Sequence, residues 1–387
     1  GPGPLSCILR GLLGRWAARP VRHTWMEAPV FSERTSVGLD VHARSVVAHG
    51  MDQVSGEVFT ARLVPDSSSV LEWLGQLPGP VATIYEAGPT GFGLARSLRA
   101  AGTRCEVVAP SKLQRPAGNR IKTDARDAEH LCRLLRLDDF TAVAVPAEGS
   151  EAARDLVRAR EACRSDLTRS RQRVSKLLLR HGIVWSGGKA WTNPHLAWLV
   201  RHQLPGPAQW ALDEGVDQVL VTLARRKRLD APIAQLAADS VWTPIVRRLG
   251  CLRGVSTLTG FALAVEIDDW TRFNGHTIGA YLGLVPCEHS SGQSRALGSI
   301  TKTGNRHVRR LLVEAAWHHK PAYKAGTTIR ARWDLAPAAA RLRGDAGNRR
   351  LHHRWAQFEK RKKNNNVAVV AIAREMASWC WSLAMTE

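Results

Sequence analysis

Val37-Gly38-Leu39-Asp40-Val41 is a short apolar run with the acidic residue Asp40 near its end. A second stretch, Val81-Ala82-Thr83-Ile84-Tyr85-Glu86, has the same form. Short apolar runs bounded by turn residues predict buried β-strands. We therefore predict that Asp40 and Glu86 lie at the ends of neighbouring strands, where their carboxylates can meet at one edge of a sheet.

A pair of acidic residues stands three positions apart in Lys122-Thr123-Asp124-Ala125-Arg126-Asp127-Ala128. Residues i and i+3 share one face of a helix, so Asp124 and Asp127 can approach the same site. Carboxylate oxygens bind hard cations, and paired Mg²⁺ ions assist phosphodiester cleavage. The four acids thus predict a site for Mg²⁺, or alternatively Mn²⁺. Taken singly, Glu86 and Asp124 also fit helix caps and Asp127 a salt-bridge partner.

The chain from residue 35 to residue 108 predicts an α/β layer fold, because three consecutive strand patterns precede alternating helices and strands. The helix after the third strand has Ser67-Ser68-Ser69 as its predicted N-cap. This order of elements, with acids at strand ends, resembles the ribonuclease-H-like fold. The strands are predicted at residues 35–41, 45–51, 57–63, 81–85 and 104–108.

The chain is strongly basic, with 55 Lys and Arg, 34 Asp and Glu, and a formal net charge of +21. Such a field favours polyanions, which means nucleic acid or an acidic membrane surface. No run of 18 apolar residues is present, so we expect no membrane-spanning helix. Residues 301–366 hold 17 Lys and Arg but 4 Asp and Glu, which favours nucleic acid. Within them, residues 320–365 predict a flexible, irregular basic insertion.

One long helical pattern runs from Glu151 to Arg180 without glycine or proline. Its narrow apolar stripe fits a coiled-coil seam or packing within the chain. We favour packing, which leaves a basic face with Arg164 and Arg171 free for nucleic acid. The tryptophans of residues 182–245 are expected in the core. The predicted divisions are an N-terminal extension at 1–34, an α/β domain at 35–145, a helical linker at 146–245 and a mostly α-helical domain at 246–387.

A group of small residues lies far along the chain and contains Ser290-Ser291-Gly292. A helix is predicted to start at His307, and small residues before a helix N-terminus allow a phosphate to approach. The serines also fit plain turn residues, because a nucleophilic serine needs a base or a metal to activate its hydroxyl. The basic residues that we predict to contact nucleic acid are Arg164, Arg171, Lys302, Arg306, Arg309 and Arg310.

Four segments together resemble one family of recombinases. The acidic motifs of that family are similar to Val37–His42, Tyr85–Gly91 and Lys122–Ala128, and its C-terminal domain is similar to Gly283–Arg310, in the same order. The family is that of the DEDD transposases of bacterial insertion sequences, the IS-one-ten family, with its Piv-type DNA invertase relatives. The resemblance covers roughly residues 35–317 and the terminal helix.

The resemblance implies a RuvC-like domain at 35–145 that binds Mg²⁺ through the four acids. It also implies a coiled-coil linker used in assembly. The C-terminal transposase domain would supply a serine that attacks DNA and stays linked to its 5′-phosphate. Ser290 and Ser291 both fit the family's pattern, and we favour Ser291 because it precedes Gly292. The Gln-Ser that follows departs from the Ser-Gly-Gly of many members.

The resemblance further implies that the partners are donor DNA, target DNA and a structured guide RNA from the flank of the element. Base pairing with that bridge RNA would read both DNA sequences. The acids and the serine would form one composite site across subunits of a homo-oligomer, a dimer or, in the synaptic complex, a tetramer. Two alternatives remain open: a metal-dependent junction resolvase that uses water, and a non-catalytic nucleic-acid-binding protein.

Residues 1–25 lie outside the resemblance and predict little structure. They are rich in arginine and poor in acids, which fits a transit peptide. We favour translated upstream sequence, with Met26 as the natural start. The 7 cysteines are scattered singly and form no C-x-x-C pair, so no zinc site is predicted. Their odd number and the lack of a secretory pattern favour a reducing cytoplasm. The resemblance implies that this cytoplasm is bacterial and that the protein associates with the nucleoid.

Overall fold

The structure, a computed structural model, describes residues 33–110, 113, 123–288, 294 and 296–386. The chain divides into two compact units between Val145 and Pro146. The described part of the first unit is an α/β layer, and that of the second is mostly α-helical. The prediction of an α/β domain followed by a mostly helical region is therefore confirmed.

The strands of the first unit are β1 (Thr35–Val41), β2 (Val46–Asp52), β3 (Val58–Leu63), β4 (Val81–Glu86) and β5 (Arg104–Val108). They form one mixed sheet in the order β3-β2-β1-β4-β5. β1, β2 and β3 pair antiparallel, whereas β4 is parallel to β1 and β5 is parallel to β4. All five predicted strands are present, and β2 and β3 each start one residue later than predicted.

Among the described residues, three helices cover this sheet: α1 (Ser67–Leu74), α2 (Gly93–Ala100) and α3 (Asp124–Leu137). Val70 of α1 and Leu98 of α2 share a buried cluster with Leu39 of β1. Leu131 and Leu135 of α3 pack in a separate cluster with Ile84 of β4. Since side chains alternate across a strand, α1 and α2 lie on one face of the sheet and α3 on the other.

The N-cap of α1 differs from the prediction, which placed it among three serines. Asp66 is the cap, because its side chain accepts the backbone N–H of Ser69 at 2.8 Å. Asp is at least as good an N-cap as Ser. It also accepts the Ser69 hydroxyl at 2.9 Å, so the serine run supplies the first helical turn instead of the cap.

The second unit begins with two long helices that are joined through a short one, and it continues with shorter helices. A two-stranded sheet is formed by β6 (Pro286–Glu288) and β7 (Leu297–Ile300). The helices are α4 (Glu148–Arg180), α5 (Asn193–Arg201), α6 (Pro207–Ala238), α7 (Thr243–Leu249), α8 (Thr257–Ile267), α9 (Thr277–Tyr281), α10 (Arg306–Ala316), α11 (Thr327–Trp333), α12 (Ala338–Lys360) and α13 (Asn365–Ala384).

The apolar stripe of α4 packs within the chain, as favoured from the sequence. Leu167 and Val174 of α4 share a buried cluster with Leu212 and Val219 of α6. The helix begins at Glu148, three residues before the predicted start. Burial of the stripe against α6 accounts for its apolar residues without a second chain.

The expectation that the tryptophans of residues 182–245 lie in the core is wrong for Trp210, which is 76% exposed. Trp185, Trp191 and Trp198 are partly buried and surround the ring of His195, at centroid distances of 5.2, 5.0 and 5.4 Å. These aromatic contacts stabilise the segment that follows α4, so Trp185, Trp191 and Trp198 have a packing role.

The expectation of a flexible, irregular insertion at 320–365 is wrong. α12 covers half of this segment, and its Leu351 and Trp355 are fully buried in the core of the second unit. Asn348 is also buried, and its amide donates to the Cys251 carbonyl oxygen at 3.0 Å. The basic residues of α12 therefore lie mostly on the outer face of an ordered helix.

One helix among the described residues, α13, is long and apolar enough to cross a membrane by length and composition. Half of its most apolar window is buried inside the protein. Ile372, Met376 and Leu383 are fully buried and pack in the same core as Trp355 of α12. Core helices of this kind pass a hydropathy test, so packing within the second unit explains the apolar composition.

Candidate functional site

Two of the predicted acids lie at the same edge of the first unit's sheet. β1 and β4 are parallel neighbours, and Leu39 of β1 pairs with Tyr85 of β4. Asp40 and Glu86 are the next residues on these strands, and both are half-buried. The carboxyl ends of neighbouring parallel strands form the usual ligand-binding edge of such a sheet, as predicted for this pair.

The other two acids are brought to this edge by the close packing of α3 on β1. A Cβ atom at Gly38 would lie 2.0 Å from the Ala128 carbonyl oxygen and 2.4 Å from the Cys132 backbone nitrogen. The Cys132 thiol also donates to the Ser36 carbonyl oxygen at 3.1 Å. The absence of a side chain at Gly38 thus allows the backbones to touch, and the first turn of α3 lies beside the end of β1.

Asp40, His42 and Asp124 form a cluster whose potential ligand atoms all lie within 4.8 Å of one another. His42 Nε2 is 3.0 Å from Asp40 Oδ2 and 3.8 Å from Asp124 Oδ1. Asp124 is the first residue of α3, and Thr123 caps the helix by accepting the N–H of Arg126. The cap starts the helix where Asp124 faces the strand end.

Burial, hydrogen bonding and neighbouring charges all act on Asp40. Burial is the largest cause that raises the pKa of Asp40, and the nearby charges of Asp124 and Asp127 raise it further. The hydrogen bond and charge of His42 oppose them. Asp127 therefore lies close enough to act on Asp40, although among the described residues it is outside the 4.8 Å cluster, as is Glu86. A cation would relieve the repulsion between these carboxylates.

The donor atoms fit a divalent cation. Carboxylate oxygens at a half-buried strand end are ligands that Mg²⁺, Ca²⁺ and Mn²⁺ prefer, whereas imidazole suits later transition metals. Asp40 and Asp124 supply such oxygens on adjacent elements. The DEDD-type site predicted from the sequence is thus chemically suited to a divalent metal.

One member of this cluster, His42, and one neighbour, Arg62, are not among the site residues predicted from the sequence. His42 lies two residues after Asp40, a spacing that places both on one side of an extended chain, and this signal was available. Arg62 of β3 lies 3.8 Å from Asp124 Oδ2. Its approach depends on the pairing of β3 with β2, which no local pattern around Arg62 indicates.

The candidate nucleophiles, Ser290 and Ser291, lie outside the described residues. The described residues on either side form β6 and β7, which pair antiparallel. After β7, Lys302 and Gly304 adopt the left-handed backbone conformation, with φ of 57° and 67°. Asn305 then caps α10 by accepting the N–H of Val308 at 3.0 Å. A tight turn therefore leads directly into a helix N-terminus.

Lys302 and Arg306 are exposed at this turn. A helix N-terminus carries unpaired N–H groups and a partial positive charge, which together attract phosphate. Two exposed cations beside it strengthen that attraction. Of the six basic residues predicted to contact nucleic acid, these two lie where a phosphate can reach them.

The other four predicted cations have partners within the second unit. Arg164 pairs with Glu161 at 2.8 Å, and Arg310 pairs with Glu161 and with Glu314. Arg309 donates to the carbonyl oxygens of Leu282 and Thr303 at 2.8 and 2.7 Å. Arg171 lies over the Trp191 ring, 5.2 Å from its centroid. These contacts give the four arginines structural roles.

Comparison with known proteins finds two family matches along the chain. Residues 246–332 match the family described as "Transposase IS116/IS110/IS902 family", and residues 37–183 match a DEDD family described as "Transposase". The chain is 36% identical over 384 residues to the Sinorhizobium fredii protein y4qE, provisionally named a transposase, covering 97% of this chain and 95% of that protein. It is 30% identical over 340 residues to the transposase for insertion sequence element IS1533 of Leptospira borgpetersenii, covering 84% and 97%.

Proposed function

Because the chain belongs to the IS116/IS110/IS902 family of transposases, we propose that it is the recombinase that moves its own insertion sequence. The family predicted from the acidic motifs is thereby confirmed. The observation that carries the proposal is the convergence of Asp40 and Asp124 within 4.8 Å at a sheet edge. The chain's net charge of +21 supports DNA as the substrate.

We propose that the α/β unit is RuvC-like and binds Mg²⁺, with Mn²⁺ as an alternative. The residues that would hold the ion are Asp40, Glu86, Asp124 and Asp127. When bound, Mg²⁺ neutralises charge on the attacking and leaving oxygens of a phosphodiester. The chain's own contribution is to hold Asp40 and Asp124 close despite their repulsion, through the contact of α3 with Gly38.

We further propose that Ser291 is the nucleophile, with Ser290 as the alternative. The serine oxygen attacks the scissile phosphorus and loses its proton. The bond from phosphorus to the 3′-oxygen breaks, and that oxygen leaves as a hydroxyl after gaining a proton. The product is a 5′-phosphoserine link, and attack by the 3′-hydroxyl of another strand reverses the step and restores the serine. The bond energy is conserved in this exchange.

Lys302 and Arg306 would bind the phosphate at the N-terminus of α10. They are exposed and lie in the segment that follows β7. A phosphate at this N-terminus would receive both backbone N–H groups and side-chain charge. The glycine at position 304 keeps the turn narrow, because a Cβ there would lie 1.9 Å from the Tyr281 carbonyl oxygen.

We propose that a structured guide RNA from the element's flank selects the donor and target DNA by base pairing. The resemblance of the acidic motifs and the excess of basic residues support this part. We also propose that the acids of one subunit complete a site with the serine of another, in a dimer or tetramer. In that arrangement, neither half is sufficient for strand exchange.

The test uses purified full-length chain with Mg²⁺, total RNA transcribed from the element's flank and a labelled element junction. The wild type is expected to produce DNA that stays attached to protein after denaturation, and mass spectrometry should find a phosphorylated serine at 291. Ser291→Ala should abolish attachment, whereas Ser290→Ala should retain it. Asp40→Ala should abolish all cutting.

The same assay decides between the proposal and a junction resolvase that uses water. A resolvase would cut DNA in both serine variants and leave no attached product. Cutting without any divalent metal would contradict the assignment of the acids. Omission of the RNA should stop recombination, and full recombination without RNA would remove guidance from the proposal.

A further inference from the structure

A fully buried carboxylate, that of Glu266, lies near the C-terminal end of α8, with its side chain 1% exposed. It accepts hydrogen bonds from Arg158 at 3.0 and 2.9 Å and from the Asn305 amide at 2.8 Å. His307 Nδ1 lies 3.2 Å away. Burial alone would raise the pKa of Glu266, but the bonds from His307, Arg158 and Asn305 outweigh it and lower the pKa to about 2.

Asn305 joins this carboxylate to the helix N-terminus that we propose as the phosphate site. Its Oδ1 accepts the N–H of Val308 at 3.0 Å and caps α10, while its Nδ2 donates to Glu266 Oε2 at 2.8 Å. Only the donor end of an amide can face a carboxylate. Glu266 therefore fixes which way the Asn305 side chain points, and with it the cap.

The turn before Asn305 is held at several further points. The N–H of Lys302 donates to the Gly283 carbonyl oxygen at 3.1 Å. Arg309 donates to two backbone carbonyls, one on each side of the contact. Gly304 lies against the Tyr281 carbonyl oxygen. The backbone is thus clamped while the Lys302 and Arg306 side chains stay exposed.

We propose that Glu266 is a positioning residue for DNA strand cleavage. It orients Asn305 and so sets the place of the α10 N-terminus, Lys302 and Arg306 relative to the scissile phosphate. Glu266 is buried and does not itself touch DNA. This inference rests on the proposed function. Arg158 belongs to α4, so the same carboxylate also ties the long helix to the phosphate site.

The donor and acceptor roles in the hydrogen bond between Asn305 and Glu266 can be exchanged by substitution without removing the N-cap of α10. Asn305→Asp keeps a good N-cap but places two acceptors against each other. Glu266→Gln keeps the side-chain volume but turns an amide donor toward the Asn305 donor or the Arg158 donors. The double variant restores a donor and an acceptor between positions 266 and 305, now reversed, and the remaining amide oxygen can still accept from Arg158 Nε. The bond from Arg158 Nη2 is not restored, because it ends on the same oxygen as the Asn305 bond. A positioning role therefore predicts that each single change damages cleavage and that the pair partly restores it.

The measurement is the single-turnover rate of serine–DNA attachment at saturating DNA, with DNA affinity determined separately. Each single variant is expected to lose about 100-fold in rate, the scale of a misplacement of about 1 Å. DNA affinity should change much less, because Lys302 and Arg306 remain. The double variant should be clearly faster than either single variant, because it re-forms the contact at position 305, but it should stay below the wild type because the Arg158 Nη2 bond is still missing. Failure of the double variant to recover, with both singles impaired, would overturn the positioning role.

Controls separate positioning from folding. Glu359→Gln changes an exposed carboxylate on α12 that pairs with Lys320 at 3.8 Å, and its rate should equal that of the wild type. Asn305→Ser keeps the cap and removes only the donor to Glu266. If circular dichroism shows that Glu266→Gln does not fold, Asn305→Ser provides the test. A wild-type rate in Asn305→Ser overturns the inference, and a lowered rate at an unchanged melting temperature supports it.

The outcomes also separate this inference from the proposed function. If the wild type forms no serine-linked DNA, the proposed function fails and the inference fails with it. If the wild type forms that product and Asn305→Asp forms it at the same rate, the inference alone is wrong.

Discussion

The substitution Gly38→Ala tests whether one backbone contact builds the acidic site. Gly38 lies in β1, and a Cβ atom there would be 2.0 Å from the Ala128 carbonyl oxygen and 2.9 Å from the Leu131 Cβ. The first of these obstacles is helix backbone, which cannot rotate away as a flexible side chain can. The helix α3 as a whole must therefore move away from the sheet.

The size of the effect follows from the contact distance. An ordinary carbon–oxygen contact is about 3.3 Å, so α3 must retreat by roughly 1.3 Å at Ala128. Overpacking of this kind costs about 3 kcal/mol, the upper part of the usual range. A displacement of about 1 Å at a catalytic group lowers the rate by about 100-fold. Asp124 and Asp127 move with α3, so metal affinity and cutting should both fall.

Urea unfolding followed by circular dichroism measures the first effect, and Mn²⁺ titration followed by electron paramagnetic resonance measures the second. Gly93→Ala is the matched control, because a Cβ at the start of α2 meets nothing within 4 Å. It should be neutral or stabilising by up to about 1 kcal/mol. Unchanged stability and Mn²⁺ affinity in Gly38→Ala would refute the role of this contact.

Three further predictions concern the second unit. Lys302→Ala and Arg306→Ala should each weaken duplex binding, measured by fluorescence anisotropy. Each should also reduce the slope of log affinity against log salt concentration by roughly 0.9, because each removes one phosphate contact. Unchanged slopes would show that neither residue contacts a phosphate. The pKa of Glu266 in the folded protein is lowered from 4.5 to about 2. Its ionised carboxylate therefore contributes about 3 kcal/mol to the free energy of unfolding above pH 4.5, and this contribution is lost as the pH falls toward 2. In an acid titration followed by urea unfolding, Glu266→Gln should lack this loss of stability. Asn348→Ala should lower the free energy of unfolding in urea by about 2–3 kcal/mol, because the part-buried backbone N–H of Arg253 loses its acceptor at 2.8 Å and the Cys251 carbonyl oxygen loses its donor at 3.0 Å. A loss below about 0.5 kcal/mol would contradict the role of these bonds.

The fold of the first unit could be predicted from the sequence because each element carries a local signal. The apolar run of β1 and the turn residues between strands report burial and chain reversal directly. The order of strands in the sheet follows from the short connections of β1 to β3 and the helical crossovers to β4 and β5. The N-cap of α1 could not be chosen, because Asp66 and the serines that follow are all good caps.

The segment at 320–365 was misjudged for a different physical reason. Its many arginines dominate the composition, whereas its few apolar residues decide the structure. Leu351 and Trp355 lie four positions apart and bury one face of α12, and that spacing is the helical signal. Composition averages over all faces of a helix, so a strongly basic outer face conceals a buried inner one.

The approach of Asp124 to β1 depends on the packing of α3 against Gly38, whereas the position of Asp40 and Glu86 at one sheet edge was predictable because both residues end apolar strand runs. Glu266 was not, since it follows an apolar helical run and its partners lie at 158, 305 and 307. Those contacts span 108 and 39 positions along the chain for Arg158 and Asn305. A buried carboxylate of this kind becomes visible only when the helices that carry its partners are packed.

The net charge of the chain is read directly from its sequence, whereas the position of its unpaired cations depends on packing. An excess of 21 positive charges predicts a polyanionic partner but not the surface that meets it. Arg164 and Arg310 both form ion pairs with the Glu161 carboxylate, because the packing of α10 against α4 brings Arg310 to Glu161. Lys302 stays exposed because it stands in a turn where its backbone, and not its side chain, makes the contact to Gly283. The nucleic-acid surface is therefore expected where backbone contacts hold the chain and leave cations unpaired, and not where arginines are most numerous.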